Sequence, residues 1–112
     1  MITFGSCNRQ KLPQTFWPLI GSLHPSHFFW IGDAIYAKGQ GVASIKEAFD
    51  LLIQNSSYYK QFIHATNVTI DGVWDDHDYG KNDAGSEFIG KNQQRQLYLN
   101  FLDEPRDSDR YT

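Results

Sequence analysis

Groups able to do chemistry concentrate in one short run of this 112-residue chain: Val73-Trp74-Asp75-Asp76-His77-Asp78-Tyr79-Gly80-Lys81-Asn82-Asp83. Asp75, Asp76, Asp78 and Asp83 are carboxylates close enough in sequence to repel one another unless solvent or a cation compensates. Together with His77 and Asn82 they offer oxygen donors and an imidazole, a set that suits a metal ion. Asp, Asn and Gly also favour turns, so a solvated loop would explain part of the run. Trp74 and His77 are not turn formers, which weighs toward a site. Two further segments carry candidate ligands, Gly5-Ser6-Cys7-Asn8 and Gly32-Asp33-Ala34-Ile35-Tyr36. Cys7 is the single cysteine, which excludes an intrachain disulfide and leaves a buried thiol, a metal ligand or an intermolecular partner.

The elements that must position these groups can be read from periodicity. Ile2-Thr3-Phe4-Gly5 reads as a short strand. Phe16, Leu19, Ile20 and Leu23 recur at helical spacing, and Pro18 is tolerable only in a first turn, so a helix should begin near Thr15. Phe28-Phe29-Trp30-Ile31 is a continuous apolar run, as in a strand buried on both faces. Ser44-Ile45-Lys46-Glu47 has the capping-box pattern, and Ile45, Ala48, Phe49, Leu52 and Ile53 come after it on one helical face. A helix over 57–65 should bury Tyr58 or Tyr59 with Phe62 and Ile63. A third strand is expected over 68–74, a polar loop over 75–86, and a last helix over 88–102, with 91–96 as a solvated face. Trp17, Trp30, Tyr58, Tyr59 and Tyr98 read as core. The order βαβααβα predicts an α/β fold with three parallel strands and right-handed crossovers. All three strands of such a sheet end on one side, so Cys7, Asp33 and the acidic run should meet there, where ligands of open α/β sheets gather.

Composition narrows the classes. Apolar residues make up 40% and aromatics 15%, enough for a globular core, and the net charge of −3 gives no reason to bind nucleic acid or an anionic membrane. No apolar run approaches the roughly 18 residues of a membrane span. Met1-Ile2-Thr3-Phe4 resembles no secretory signal, and the compartment stays open. His24, His27 and His64 lack ligand spacing and read as structural or exposed.

Phe4-Gly5-Ser6-Cys7-Asn8, Trp30-Ile31-Gly32-Asp33-Ala34-Ile35-Tyr36, Trp74-Asp75-Asp76-His77-Asp78 with Asn82, and Phe101-Leu102-Asp103-Glu104-Pro105 occur in this order. In these pieces the chain resembles the alkaline phosphatase D (PhoD-like) metallophosphatases, distant relatives of the calcineurin-like phosphoesterases. The resemblance implies a metal-dependent phosphomonoesterase or phosphodiesterase, in which a metal-bound hydroxide at a binuclear site attacks phosphorus. It makes Asp33 the bridging carboxylate, Cys7 and Tyr36 ligands of a ferric ion, and Asp76 and Asn82 oxygen ligands of a calcium ion, with other divalent metals as alternatives. It places His77 by the phosphate, stabilising or protonating the leaving group, and Asp78 behind it, orienting the imidazole. Asp75 reads as structural, turning the chain or capping an amide, while Asn8 and Lys81 are candidates to meet substrate oxygens. The family completes its site with histidines and an aspartate from a second half of the domain, and no histidine comes after His77 here. Residues 1–112 are therefore expected to be the N-terminal half of a four-layer metallophosphatase sandwich, holding about half a site.

Two other readings compete. A non-catalytic fragment would bind a partner or self-associate through an uncovered sheet. A response-regulator-like module with an acidic magnesium pocket would leave Cys7, Tyr36 and His77 unexplained.

Overall fold

The computed structural model describes the backbone of residues 1–112 and every side chain except that of Asn55. Three strands, β1 (Ile2–Gly5), β2 (His27–Ile31) and β3 (Thr69–Val73), pair in parallel in the order β1-β2-β3. The register sets Gly5 beside Trp30 and Trp30 beside Gly72. Both crossovers step in the same direction across the sheet. Right-handed connections that do so lay all their helices on one face.

That covered face carries the core. Phe28 and Trp30 are buried there with Trp17, Tyr59, Phe62, Tyr98 and Phe101. The Trp17 ring lies 4.7 Å from Tyr59 and 5.1 Å from Phe62, between centroids, so its burial knits α1 (Trp17–Ser22) to α3 (Ser57–Ala65). The polar atoms of these rings are satisfied, as buried indoles require. Trp17 Nε1 donates to Gln14 Oε1 at 2.7 Å, and Trp30 Nε1 donates to the Tyr59 hydroxyl at 3.2 Å. The opposite face is open. Ile2, Phe4, Ile31 and Val73 alternate with the core positions and are 63%, 69%, 51% and 62% exposed. The expectation of a second strand buried on both faces is thus corrected: only Phe28 and Trp30 of β2 are fully covered.

Helix boundaries also differ in instructive ways. α1 begins at Trp17, and it buries Trp17 while Phe16, Leu19 and Leu23 of the expected apolar face remain exposed. α2 (Val42–Asp50) starts two residues before Ser44, because Gly41 turns the chain with φ of 97° and serves as the N-cap. Ser44 therefore sits inside the helix and caps nothing. The expected core face does form, with Ile45, Ala48, Phe49 and Leu52 buried. A π-helical turn, Leu51–Asn55, then leads to α3, whose N-cap Ser56 accepts from the Tyr59 amide. Tyr59 is buried, whereas Tyr58 is 40% exposed and is not core. The polar loop after β3 contains a single helical turn, α4 (Asp76–Tyr79). The last helix, α5, spans Lys91–Phe101 and ends on Tyr98, Leu99 and Phe101 in the core. Its polar half is not uniformly solvated: Gln94 is fully buried, with neither amide atom hydrogen-bonded. A 3-10 turn, Asp109–Tyr111, returns Arg110 to β3, where it pairs with Asp71 and Glu104. Among the described residues no helix is long and apolar enough to cross a membrane.

Candidate metal centre at the strand ends

The loops after β1 and β2 are stitched together residue by residue. Cys7 N–H donates to the Gly32 carbonyl at 3.3 Å and Asn8 N–H to that of Asp33 at 2.8 Å. Cys7 and Asp33 both take left-handed backbone angles, with φ of 52° and 53°. Such angles are uncommon outside glycine, asparagine and aspartate, and they mark loops shaped by their surroundings. The side chain of Asn8 donates to the Ala34 carbonyl and accepts from Gln14. Gln10 makes a two-way bond with the Tyr36 backbone, at 2.8 and 3.0 Å. Asn8, Gln10 and Gln14 are all buried, so they hold the site's loops in place. Asn8, a candidate substrate contact in the sequence, has its amide engaged in this scaffold. The part played by Gln10 and Gln14 carried no sequence signal beyond two amides near a strand end.

Gly32 brings the third loop close. With φ of 102°, it leaves a side chain no relaxed conformation, and a Cβ there would lie 2.8 Å from Asp75 Cβ. Gly32→Ala is expected to lower stability by roughly 2–3 kcal/mol through strain and overpacking, read as a fall in the urea midpoint with unchanged slope. A midpoint at the wild-type value would show that the β2 and β3 loops can separate without penalty.

Asp75 starts α4 as its N-cap. It accepts from Asp76 N–H at 2.9 Å, while Asp78 at the third helical position accepts from Asp75 N–H at 3.2 Å, a reciprocal capping box. The structural role expected for Asp75 is therefore what it performs. Asp78 is 1% exposed, and its other oxygen accepts from Ile35 N–H at 3.2 Å, tying α4 to the loop after β2. Burial pushes Asp78 up to about 7, against the opposing pull of the Asp75 and Ile35 amides. None of its hydrogen bonds joins it to the His77 ring. The expectation that Asp78 orients the imidazole gives way to a different task, fixing the backbone that carries Asp76 and His77.

Ligating atoms converge around Asp33. Asp33, Asp76 and His77 each offer one within 4.8 Å of the others, a group that could hold a metal ion. Asp33 is 8% exposed; its Oδ2 accepts from the Tyr36 hydroxyl at 2.7 Å, and its Oδ1 is buried with no hydrogen-bond partner. A buried carboxylate oxygen without a partner carries a desolvation penalty that a cation would offset. The ion pairs among the described residues are Lys46–Asp50, Arg110–Asp71 and Arg110–Glu104, so no basic side chain neutralises Asp33 or Asp76.

Of the remaining sequence candidates, Tyr36 adjoins this cluster and Cys7 adjoins Tyr36. The Tyr36 ring packs 4.4 Å from His77, between centroids. Its phenol is raised above the ordinary value, chiefly because it donates to Asp33, then by burial and by the Cys7 sulfur beside it. Cys7, Tyr36 and Asp33 are thus neighbours, as the parallel sheet requires. Asp76 Oδ1 accepts from His77 N–H and its Oδ2 from Asp83 N–H, which folds the next loop back over α4. Asn82 lies on that loop, exposed, with its amide donating to Asp83 at 2.6 Å.

Comparison with protein-family models, with curated proteins and with solved structures finds no match to this chain. Its functional reading therefore rests on the residues and their geometry.

Proposed function

We propose that this chain is the N-terminal, metal-binding half of a phosphoester hydrolase of the alkaline phosphatase D type, one βαβααβα layer of a four-layer sandwich. The observation that carries the reading is Asp33, which has a buried, unpartnered Oδ1 and lies with Asp76 and His77 in one group able to hold a metal ion. Cys7, Asp33 and Tyr36 are the residues that would hold an iron(III) ion, because thiolate and phenolate suit a strong Lewis acid. Asp33, Asp76 and Asn82 would hold calcium, a hard cation that takes oxygen ligands. When bound, the metals supply Lewis acidity toward the phosphoryl oxygens and activate water.

The chain's own residues do the rest. Asp33 accepts from Tyr36 and groups with Asp76 and His77, contacts that support the role of a ligand shared by two ions. His77, half-buried against Tyr36, presents an imidazole able to give a proton to a departing alkoxide. Asp78 and Asp75 keep α4 seated, and the paired loops after β1 and β2 fix the opposite wall. The open face of the sheet supports the half-domain part of the reading, since a packed sheet normally buries both apolar faces.

Purified protein reconstituted with iron and calcium tests this. Stoichiometric iron with a tyrosinate charge-transfer band, and p-nitrophenyl phosphate turnover abolished by Cys7→Ala or Tyr36→Phe, is the expected result. Bound iron without that band would remove Tyr36 from the ligand set. Absence of both metal and turnover would overturn the hydrolase reading for this chain.

The exposed Ile2, Phe4, Ile31 and Val73 favour a second reading, a non-catalytic module that associates through the sheet. It predicts a concentration-dependent oligomer in sedimentation, dissociated by Phe4→Lys, and no turnover with any metal.

A further inference from the structure

We propose that a groove beside the metal cluster takes the apolar group of an aryl or alkyl phosphoester, and that Arg9 binds its phosphate. This inference rests on the phosphoester reading and narrows it to a substrate class. The groove holds about 430 Å³ and runs from Cys7 and Arg9 along β1 to α1, with Phe4, Leu12, Phe16 and Ile20 among its walls. Cys7 lines this groove and also adjoins Tyr36, so an esterified group extending past Cys7 from a phosphate at the cluster would enter the groove.

The charge at this end is complementary to a phosphate. The Arg9 guanidinium carbon lies 5.9 Å from the centroid of the Tyr36 ring, and the side chain is exposed. Among the described residues it makes no hydrogen bond and no ion pair. Arg110 differs, being tied to Asp71, Glu104 and the Gly72 carbonyl. A planar guanidinium presents paired donors that match phosphate oxygens, and its stacking on an aromatic ring leaves those donors facing outward.

The walls select the group that the phosphate esterifies. Leu12 and Phe16 are 59% and 45% exposed, surface that an apolar ligand would remove from water. The amides that also line the groove are already engaged. Asn8 is bonded to Ala34 and Gln14, and Gln14 to Asn8 and Trp17. A sugar entering here would lose water from its hydroxyls and find few partners, whereas an aryl or alkyl group loses nothing comparable.

Calorimetric titration of the metal-loaded protein with phenylphosphonate and methylphosphonate, neither of which is hydrolysed, tests the assignment apart from turnover. Phenylphosphonate should bind at least about tenfold more tightly, the worth of burying a ring. Leu12→Ser should shrink that ratio below about threefold, and Arg9→Gln should weaken both ligands about tenfold while keeping the ratio. Both residues are exposed, so the variants should keep the wild-type fold, checked by their circular dichroism. Equal wild-type affinities, or an Arg9→Gln variant that binds like wild type, would overturn the proposal. Turnover of p-nitrophenyl phosphate without phenyl preference would leave the hydrolase standing and the groove refuted. A phenyl preference dependent on Leu12 and Arg9, with no turnover of any phosphoester, would leave the groove standing and refute hydrolysis.

Discussion

Asp33→Asn is expected to strip the protein of metal while leaving its fold intact. Asparagine is nearly isosteric with aspartate and tolerates the left-handed backbone that position 33 adopts, with φ of 53°. Its amide oxygen can still accept from the Tyr36 hydroxyl, as Asp33 Oδ2 does at 2.7 Å. What disappears is a carboxylate oxygen able to bind a cation, since an amide NH2 replaces the buried Oδ1 that lacks a partner. Partners outside the ligand set are worth about 10–100-fold in metal affinity, so loss of the carboxylate proposed as a ligand should exceed about a hundredfold. The metal-free variant should unfold close to metal-free wild type in urea, because asparagine keeps the shape of the side chain and its bond from Tyr36. Metal content after dialysis, p-nitrophenyl phosphate turnover and the urea midpoint together read this out. Retention of stoichiometric metal with near-native turnover would remove Asp33 from the site. A collapsed midpoint with unchanged metal affinity would make it a structural residue instead.

The pattern of what could be read from the sequence has physical causes. Parallel strands must end on one side, so strand order alone put the loops of Cys7, Asp33 and Asp76 at one end of the sheet. There Asp33, Asp76 and His77 form the group able to hold a metal ion, and Cys7 stays exposed beside it. The α2 core face was legible because five apolar positions repeat at helical spacing, and α3 because Tyr59, Phe62 and Ile63 make an amphipathic run over 57–65. The start of α2 was not legible, because Gly41 with φ of 97° turns the chain before any capping side chain is needed. The apolar stretch in β2 pointed to two covered faces. That inference ignores how the crossovers step: two right-handed connections moving the same way cover one face only. Asp78 escaped for a different reason. Asp75-Asp76-His77-Asp78 reads as a ligand cluster, yet two of its four members form a capping box, a pattern first sought at Ser44. Carboxylates that bind backbone amides and carboxylates that bind a cation look alike in sequence. Both Asp76 and Asp78 accept from two backbone amides, and what separates them is that Asp78 is buried while Asp76 is half-exposed within reach of Asp33 and His77.

The largest pH effect on stability should come from Asp78. Burial raises it from an ordinary 3.8 to about 7 in the folded protein, so between those values the native state holds a proton that the unfolded chain has released. Stability changes with pH in proportion to protons bound in the unfolded state minus those bound in the native state, a negative difference here. The metal-free protein should therefore lose stability as pH rises from about 4 to about 7, then level off above it. Its full contribution is present only below about 4. The rise from 3.8 to about 7 sets the loss at no more than roughly 4 kcal/mol. Asp78→Asn has no titrating group at this position, and its stability curve should lack that slope. Urea midpoints of both metal-free proteins across this range give the test, and two parallel curves would show that Asp78 is ionised throughout. The fold accepts this destabilisation at neutral pH because the same carboxylate receives the amides of Ile35 and Asp75. Those two bonds fix α4 against the loop after β2, and so hold Asp76 and His77 across from Asp33.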